Sequence, residues 1–248
     1  MTLTLKQKER YSRFLRLNEI QKEDMESIVR TTVGVVGAGG LGSSSLRLLT
    51  AIGFGRIIIV DSDEVELSNI QRQTLYNTED VGRPKVEAAV ENLMKLNPEV
   101  KFEPKKVRVN EDNVEDILRD TDIIIDGLDS FKTRKIVNKF SLESKKPYIF
   151  AGAVEFYANT TTFQPDSTGC FHCIMGDAKD NPEMTCASIG ITPEILPMVT
   201  SVQVREAVLI ATDRKPNLAN RLLSIDIGTL VFEMFDIKKN EECEVCGV

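Results

Sequence analysis

Glycines in the sequence GAGGLG have the spacing of a phosphate-binding loop. Gly37, Gly39 and Gly42, with Gly40 between them, follow the apolar run TVGVV and precede a segment of helical composition. Glycine permits a tight turn and close approach of backbone N–H groups to phosphate, and the N-terminus of the following helix favours negative charge. The motif therefore predicts a nucleotide-binding loop. The alternative is a glycine-rich turn that serves only helix–sheet packing.

An acidic residue and two cations follow this motif. Asp61 ends the apolar run RIIIVD, at the position where Rossmann-type proteins bind ribose hydroxyls. Arg72 and Lys85 lie in the next stretch, SNIQRQTLYNTEDVGRPK, with Asn69 and Gln73. A triphosphate carries more charge than the pyrophosphate of NAD, and Arg and Lys neutralise such charge. The stretch therefore favours a triphosphate ligand, unless the two cations are only solvated surface charges.

Four of the five cysteines form two CxxC pairs. Cys170 and Cys173 make the first pair, and Cys243 and Cys246 make the second. Two such pairs supply the four thiolates of a tetrahedral structural zinc site, which would pin the C-terminal tail to the body of the protein. A redox role is the alternative, but neither pair follows the strand–helix start of a thioredoxin-like site.

The chain has one histidine, and its position limits the mechanism. His172 lies inside the first CxxC pair, where it reads as a residue of the metal-binding turn rather than as a ligand. A Ser-His-Asp or Cys-His site elsewhere in the subunit is thereby excluded. The reaction must use carboxylates, lysine or cysteine, or need no general base.

The elements that position these residues alternate along the chain. Apolar, β-branched runs of strand length alternate with helical segments up to about residue 150, and two hairpins follow, one near Glu155 to Ala158 and one near Gly228. We predict a single α/β domain, residues 1–248, with a helical N-terminal arm over about residues 1–30. Its Rossmann-like mixed sheet is mostly parallel, has antiparallel C-terminal strands and is flanked by helices.

Composition excludes several functional classes. The formal net charge of −7 disfavours a dedicated nucleic-acid binder, which usually shows a basic face. The charged N-terminus has no apolar signal-peptide core, and the longest apolar runs are too short to span a membrane. These features predict a soluble cytoplasmic protein with no membrane or nucleic-acid partner.

Several segments occur together from RYSRF near the N-terminus to CEVCG at the C-terminus. They are GAGGLG, DSDEVELSNIQRQ, VGRPKVEAA, DGLDSFKTR and the two CxxC pairs. In combination they resemble the ubiquitin-activating-enzyme-like superfamily, most closely its MoeB, ThiF and HesA group. The resemblance implies ATP-dependent adenylation of the C-terminal glycine of a small ubiquitin-like, β-grasp protein with a Gly-Gly tail, with release of pyrophosphate. The carrier and its pathway (molybdopterin, thiamin, tRNA thiolation or protein conjugation) stay open.

The resemblance also implies roles for the residues of the nucleotide segment. Asp61 would bind the ribose of ATP. Arg72, Gln73 and Lys85 would bind the triphosphate, with Asn69 on the same loop. Arg72 and Lys85 would act as catalytic cations, because they neutralise charge on the phosphates and on the leaving pyrophosphate.

Three further residues take roles from the resemblance alone. Asp129 would hold magnesium, and Arg13 would reach the ATP of the other subunit in a homodimer. Cys186 lies where some family members form a covalent link to the carrier, and a spare thiol is the equally open reading. A carrier carboxylate has a pKa of about 3.3–3.7, so it is ionised at neutral pH and needs no general base.

The chain departs from the family pattern at three positions. Ser130 replaces a common asparagine after Asp129, and Pro197 and Thr200 replace common glycines. These departures put a polar contact near the nucleotide and the packing of one helix in doubt. No rhodanese-like domain follows Cys246, so sulfur delivery would need a separate sulfurtransferase.

Three other functions compete with adenylation of a carrier protein. A related tRNA-modifying dehydratase activates a small carboxylate, but the acidic balance and paired cysteines disfavour it. An NAD(P)-dependent oxidoreductase leaves Arg72 and Lys85 without a purpose. A catalytically silent binding scaffold leaves all the matching charged residues unexplained.

Overall fold

The computed structural model describes residues 2–184 and 188–247, which form an eight-stranded mixed sheet flanked by helices. The sheet order is β3-β2-β1-β4-β5-β6-β7-β8. The strands are β1 Thr32–Val36, β2 Arg56–Val60, β3 Lys101–Lys105, β4 Ile123–Asp126, β5 Tyr148–Val154, β6 Tyr157–Phe163, β7 Arg221–Asp226 and β8 Val231–Asp236. The helices are α1 Leu5–Arg10, α2 Lys22–Ile28, α3 Gly40–Ile52, α4 Leu67–Ile70, α5 Lys85–Leu96, α6 Val114–Leu118, α7 Phe131–Glu143, α8 Phe171–Met175 and α9 Ile195–Ala211.

The first five strands are parallel, as the alternating pattern predicts. Their side chains point alternately to two cores because successive strand residues face opposite sides of a sheet. Val33, Val35 and Ile57 pack with residues of α2, α3, α5 and α9. Val36 and Ile58 pack with residues of α6 and α7 on the other face. Burial on both faces explains why β1, β2 and β4 are apolar runs without polar alternation, whereas the edge strand β3 is polar and partly exposed.

The two predicted hairpins are confirmed. Strands β5 and β6 pair antiparallel, and their turn is confined to Glu155, with a φ of 52°, and Phe156. Strands β7 and β8 pair antiparallel with Gly228 in the turn. Together they extend the parallel sheet by three antiparallel strands, so the predicted fold class is correct.

Helix α9 accommodates Pro197 and Thr200, the two departures from the family pattern that lie on it. Pro197 is the third residue of α9, where its missing N–H costs no intrahelical hydrogen bond. Thr200 is buried, and its Oγ1 lies 2.8 Å from Ser44 Oγ on α3 and 2.9 Å from Leu196 O. The larger side chain therefore adds a polar contact between α9 and the helix that follows the glycine loop.

Two short helices were not predicted from the sequence. Helix α4 begins the cation-bearing stretch, and α8 contains Cys173 of the first CxxC pair. The N-terminal arm is helical as predicted, with α1, a 3₁₀ turn at Phe14–Arg16, and α2. The extent of the domain, residues 1–248, stays a prediction. Among the described helices, none has the length and apolar character needed to cross a membrane.

Candidate functional site

The glycine loop is held by backbone contacts that leave no room for a side chain at Gly37 or Gly42. Gly37 has a φ of 94°, a conformation that other residues rarely adopt. A Cβ atom on Gly37 would lie 2.4 Å from the carbonyl oxygen of Gly127, and one on Gly42 would lie 1.8 Å from the carbonyl oxygen of Gly37. The loop after β1, the start of α3 and the loop after β4 therefore meet with their backbones in direct contact.

Two side chains fix the peptide between Gly37 and Gly39. Asp61 Oδ2 accepts a hydrogen bond from Ala38 N at 2.7 Å, and the Tyr76 hydroxyl donates to Ala38 O at 2.8 Å. Burial raises the pKa of Asp61, an effect that Lys85 and the N–H groups of Ala38 and Asp63 only partly offset. Asp61 thus lies against the glycine loop at the end of β2, where the sequence predicts it.

The cation-bearing stretch brings Lys85 and Gln73 to the same loop. The Lys85 side chain is 8% exposed, and its Nζ lies 3.2 Å from Asp63 Oδ2. Gln73 is buried, with its Nε2 3.9 Å from the position of a Cβ on Gly39. Its Oε1 is buried and has no hydrogen-bond donor within the described residues. Because an unpaired buried acceptor is costly, this oxygen points to a donor supplied by a ligand.

Asn69 and Arg72 have mainly local contacts. Asn69 Oδ1 accepts from Glu66 N at 3.2 Å and so caps α4. Arg72 is half-buried, and its Nη1 donates to Ser68 O at 3.0 Å. Asn69 therefore shapes the loop, and the remaining donors of Arg72 are available to a ligand.

Asp129 and Arg13 differ in their relation to the loop. Asp129 lies two residues after Gly127, is exposed, and forms no ion pair within the described part of the chain. Arg13 is exposed in the N-terminal arm, and the described contacts do not join it to Asp61, Lys85 or Asp129. The chain thus brings Asp129 to the glycine loop through Gly127 and does not bring Arg13 there.

Ser130 caps α7 together with a residue that the sequence did not reveal. Ser130 Oγ lies 3.3 Å from Thr133 N, from which it accepts, and donates to Asp180 Oδ2 at 3.0 Å. Asp180 Oδ1 also accepts from Phe131 N at 2.6 Å. Partial burial acts to raise the pKa of Asp180, but hydrogen bonds from Phe131 N, Lys132 N and the Ser130 hydroxyl lower it overall. The departure at Ser130 therefore yields a two-residue helix cap beside Asp129.

A buried ion pair below Asp129 was also missed. Arg134 Nε lies 3.0 Å from Asp126 Oδ2, and their side chains are 7% and 0% exposed. The available signal was an acidic residue at the end of a buried strand with an arginine one helical turn into the next helix. Charged side chains at such positions are rarely buried unless they are paired.

The four predicted metal ligands converge. The Sγ atoms of Cys170, Cys173, Cys243 and Cys246 all lie within 4.8 Å of one another. Neighbouring Sγ–Sγ distances are 3.9, 3.8 and 3.4 Å. Zinc–sulfur bonds of about 2.3 Å in a tetrahedron place the sulfurs about 3.8 Å apart, so the arrangement fits zinc. His172 lies outside the cluster and lines a groove with Lys135 and Lys139.

Cys186 lies outside the described residues, so its two readings stay as the sequence left them. The segment that follows it returns to the sheet. Glu155 N donates to Gly190 O at 3.0 Å, and Thr192 N donates to Glu155 O at 2.9 Å. The chain after Cys186 is therefore attached to the turn between β5 and β6.

Fold and glycine loop together define a Rossmann-like α/β protein with antiparallel strands added at one edge of its sheet. A family model described as the ThiF family matches residues 11–245, and the chain belongs to that family. The SAMP-activating enzyme E1 of Haloferax volcanii is 35% identical over 250 residues, which cover 100% of this chain and 92% of the relative. A sulfur carrier protein adenylyltransferase of Thermus thermophilus is 35% identical over 253 residues, covering 100% and 93%.

A solved structure shares the fold at lower identity. The crystal structure of Escherichia coli MccB with MccA-N7isoASN superposes with a TM-score of 0.85 and 22% identity. The match covers 97% of this chain and 75% of that chain. This likeness confirms the fold.

The backbone contact at Gly42 yields a stability prediction. Replacing a glycine inside a helix by alanine normally stabilises a protein, by about 1 kcal/mol on helix propensity alone. Gly42→Ala is expected to do the opposite, with a loss of about 1–3 kcal/mol, because the new Cβ would overlap Gly37 O. Urea unfolding measures the change. The matched control is Gly39→Ala, whose Cβ has no neighbour closer than 3.9 Å. An equal or larger loss in the control would contradict this account.

Proposed function

We propose that this adenylyltransferase uses ATP to adenylate the C-terminal carboxylate of a small ubiquitin-like carrier protein and releases pyrophosphate. The observation that carries the nucleotide half is the glycine loop itself, whose Ala38 N donates to Asp61 Oδ2 at 2.7 Å while Gln73 Nε2 lies 3.9 Å from the position of a Cβ on Gly39. The carrier half extends to this chain the activity of two relatives, an activating enzyme and a sulfur carrier protein adenylyltransferase.

Each part of ATP has a complementary group at the loop. The N–H groups of the glycine loop and the N-terminus of α3 suit phosphate oxygens. Asp61 has a carboxylate at the strand end for the ribose hydroxyls. Lys85 is already held near the loop by Asp63, and Arg72 has free guanidinium donors. These two cations would neutralise charge on the triphosphate.

Asp129 fits a magnesium ligand. Its carboxylate is exposed, forms no ion pair within residues 2–184 and 188–247, and follows the loop that contacts Gly37. Magnesium prefers oxygen ligands and binds through one or two carboxylates together with substrate phosphates. When bound, the ion would supply positive charge to the phosphate oxygens and to the leaving pyrophosphate.

The proposed reaction is a displacement at the α-phosphorus. A carboxylate oxygen of the carrier forms a bond to that phosphorus while the bond to the pyrophosphate oxygen breaks. The carboxylate is already ionised at neutral pH, since its usual pKa is about 3.3–3.7, so no base has to remove a proton. The protein's task is alignment and charge neutralisation, which matches a chain whose one histidine lies within a CxxC pair.

Arg13 enters the proposal as a residue supplied by the other subunit of a homodimer. Its guanidinium is exposed, and no described contact links it to the site of its own chain. An arginine supplied in trans neutralises phosphate charge that develops during transfer, with rate factors of ~10³–10⁵ in known cases. A site shared between two subunits thus gives a role to Arg13, which has no described contact with the site of its own chain.

The exposed hairpin of β7 and β8 suits the carrier. Strand β8 is the last strand of the sheet, and Phe232, Met234 and Phe235 on it are 52%, 41% and 48% exposed. A free apolar edge strand pairs readily with a strand of another protein, and a β-grasp carrier offers such strands. Ile227 N donates to Phe156 O, which joins this hairpin to the turn that holds the segment after Cys186. The surface is therefore continuous with the chain leading to the site.

Zinc at the four cysteines, a cytoplasmic location and a separate sulfurtransferase partner complete the proposal. The zinc part is supported by the sulfur geometry and by the chemistry of four thiolates. Cys243 is buried against the first pair, so zinc would tie the end of the chain to α8.

The central experiment is ATP–pyrophosphate exchange with a candidate carrier ending in Gly-Gly. Exchange is expected only with both the carrier and magnesium, and Asp129→Ala is expected to reduce it at least a hundredfold while the thermal unfolding curve stays unchanged. Exchange that is independent of the carrier, or undiminished in Asp129→Ala, would disprove the assignment.

Subunit mixing extends this experiment to Arg13. Arg13→Ala and Asp129→Ala homodimers are each expected to be nearly inactive. A heterodimer of the two has one composite site with both residues intact, so about half of its sites should work. Full activity of Arg13→Ala, or an inactive mixture in which mass spectrometry proves heterodimers, would reject a shared site.

Metal analysis tests the cysteine cluster. One zinc per chain is expected, and Cys243→Ser should lose the metal and unfold at lower temperature because metal binding contributes to folding. Cys186→Ser is the matched control, since it removes the one cysteine outside the cluster, and it should keep both zinc and stability. Equal zinc contents in Cys243→Ser and wild-type protein would contradict the assignment.

A charge on β8 tests the carrier surface. Phe232→Asp is expected to raise the KM for the carrier at least tenfold without changing the KM for ATP, because it places a carboxylate in an apolar contact. Met94→Asp is the control, as Met94 on α5 is exposed to a similar degree, 51% against 52%. Equal effects of the two substitutions on the carrier KM would remove β8 from the interface.

A further inference from the structure

The ion pair between Arg134 and Asp126 lies under the loop that carries Asp129, and no step proposed above uses it. A buried ion pair is weak evidence for stability, because well-packed apolar residues often replace such a pair at no loss. The Asp126 carboxylate accepts hydrogen bonds from Arg134, from the Tyr148 hydroxyl at 2.5 Å and from Leu128 N at 2.8 Å. Burial raises the pKa of Asp126, and the three donors act against that rise because they favour the ionised, acceptor-only carboxylate.

The guanidinium of Arg134 binds more than its ion-pair partner. Its Nη2 donates to Leu128 O at 2.5 Å and to Ala151 O on β5 at 2.8 Å. Its Cζ lies 5.1 Å from the centre of the Phe150 ring, in the range of a cation–π contact. One planar group thus joins α7, the loop after β4 and strand β5.

Leu128 is the residue directly before Asp129. The ion pair of Arg134 and Asp126 forms hydrogen bonds to both peptide groups of Leu128. Its N–H donates to Asp126, and its carbonyl oxygen accepts from Arg134. Asp126 is itself fixed, because Gln203 Nε2 on α9 donates to its carbonyl oxygen at 3.1 Å. These hydrogen bonds fix the backbone at Leu128 and therefore the position of the Asp129 Cα.

The charges in this cluster also matter for Asp129. The guanidinium and the Asp126 carboxylate neutralise each other at 3.0 Å, whereas Asp129 has no ion pair within the described residues. Without Asp126, the positive charge of Arg134 would compete with a cation for Asp129. The pair thus holds the loop, and the remaining attraction between Arg134 and Asp129 stops short of an ion pair.

We propose that Arg134 is a positioning residue for Asp129: its guanidinium fixes the Leu128 peptide so that the Asp129 carboxylate faces a divalent cation on the nucleotide phosphates. This proposal rests on the proposed function, in which Asp129 holds magnesium. Lysine cannot substitute, because one ammonium group cannot reproduce the planar fork that binds Asp126, Leu128 O and Ala151 O together.

The test compares Arg134→Lys with a matched control elsewhere in the chain. Arg214 also donates to a carboxylate and to a backbone carbonyl, Asp24 Oδ2 at 2.8 Å and Glu19 O at 2.7 Å, but it joins the end of α9 to α2. Binding of Mn²⁺ is followed by electron paramagnetic resonance in the presence of a non-hydrolysable ATP analogue. Thermal unfolding is measured for each variant.

Arg134→Lys is expected to weaken Mn²⁺ binding about 10–100-fold, the usual effect of losing an outer-shell partner of a metal ligand. The magnesium concentration that gives half-maximal pyrophosphate exchange should rise by a similar factor. Arg214→Lys should lower the unfolding temperature and leave both metal measurements at wild-type values. Equal Mn²⁺ affinities in the two variants would overturn the proposal.

Two further variants keep the outcomes distinct. If Arg134→Lys does not fold, the double variant Asp126→Asn with Arg134→Gln decides, since it leaves no unpaired buried charge but removes the guanidinium that binds Leu128 O and Ala151 O. Weaker Mn²⁺ binding in that variant supports the proposal, and wild-type binding overturns it. Asp129→Ala separates failure of the proposed function from failure of the Arg134 proposal. If Asp129→Ala binds Mn²⁺ like the wild type, the metal role of Asp129 in the proposed function is wrong, whatever Arg134 does.

Discussion

The organisation of the site depends on a backbone contact among three glycines. Gly42 at the start of α3 lies against the carbonyl of Gly37, and Gly37 lies against the carbonyl of Gly127. Any side chain at these positions would separate β1 and β4, the two strands whose ends form the site. Because this contact brings the glycine loop and the loop of Asp129 together, the N–H groups predicted to bind phosphate and a carboxylate without an ion pair among the described residues meet at one edge of the sheet.

Much of this arrangement is encoded locally and could be predicted from the sequence. A glycine spacing, an apolar strand and a strand-end acid are short-range signals with a physical cause each, and they placed Gly37, Gly42 and Asp61 correctly. The same holds for the hairpins, since turn residues between β-branched runs have few other solutions. The cysteine pairs were predicted to converge across about seventy residues only because four thiolates make one tetrahedral site.

What the sequence did not reveal are contacts between elements that are distant along the chain. Asp180 caps α7 from a segment some fifty residues downstream, and no local pattern indicates which helix it will reach. Arg134 reads as one of several basic residues in α7, and only the sheet order shows that its side chain points under β4 and β5. Long-range polar contacts of this kind are decided by tertiary packing, which propensity and periodicity do not encode.

The division of the sheet into two halves suits a protein that handles two substrates of unequal size. The central parallel strands β1, β2 and β4 are covered on both faces, so a small ligand reaches them at the strand ends, between loops. The antiparallel strands lose this cover progressively, until every residue of β8 is exposed. A folded protein requires such an open surface, because it cannot enter a cleft between loops. In the proposed reaction, the nucleotide therefore uses the covered half and the carrier uses the open half, and only the flexible tail of the carrier has to pass from one to the other. The turn at Glu155, which pairs with Gly190 and Thr192, lies where these two halves meet.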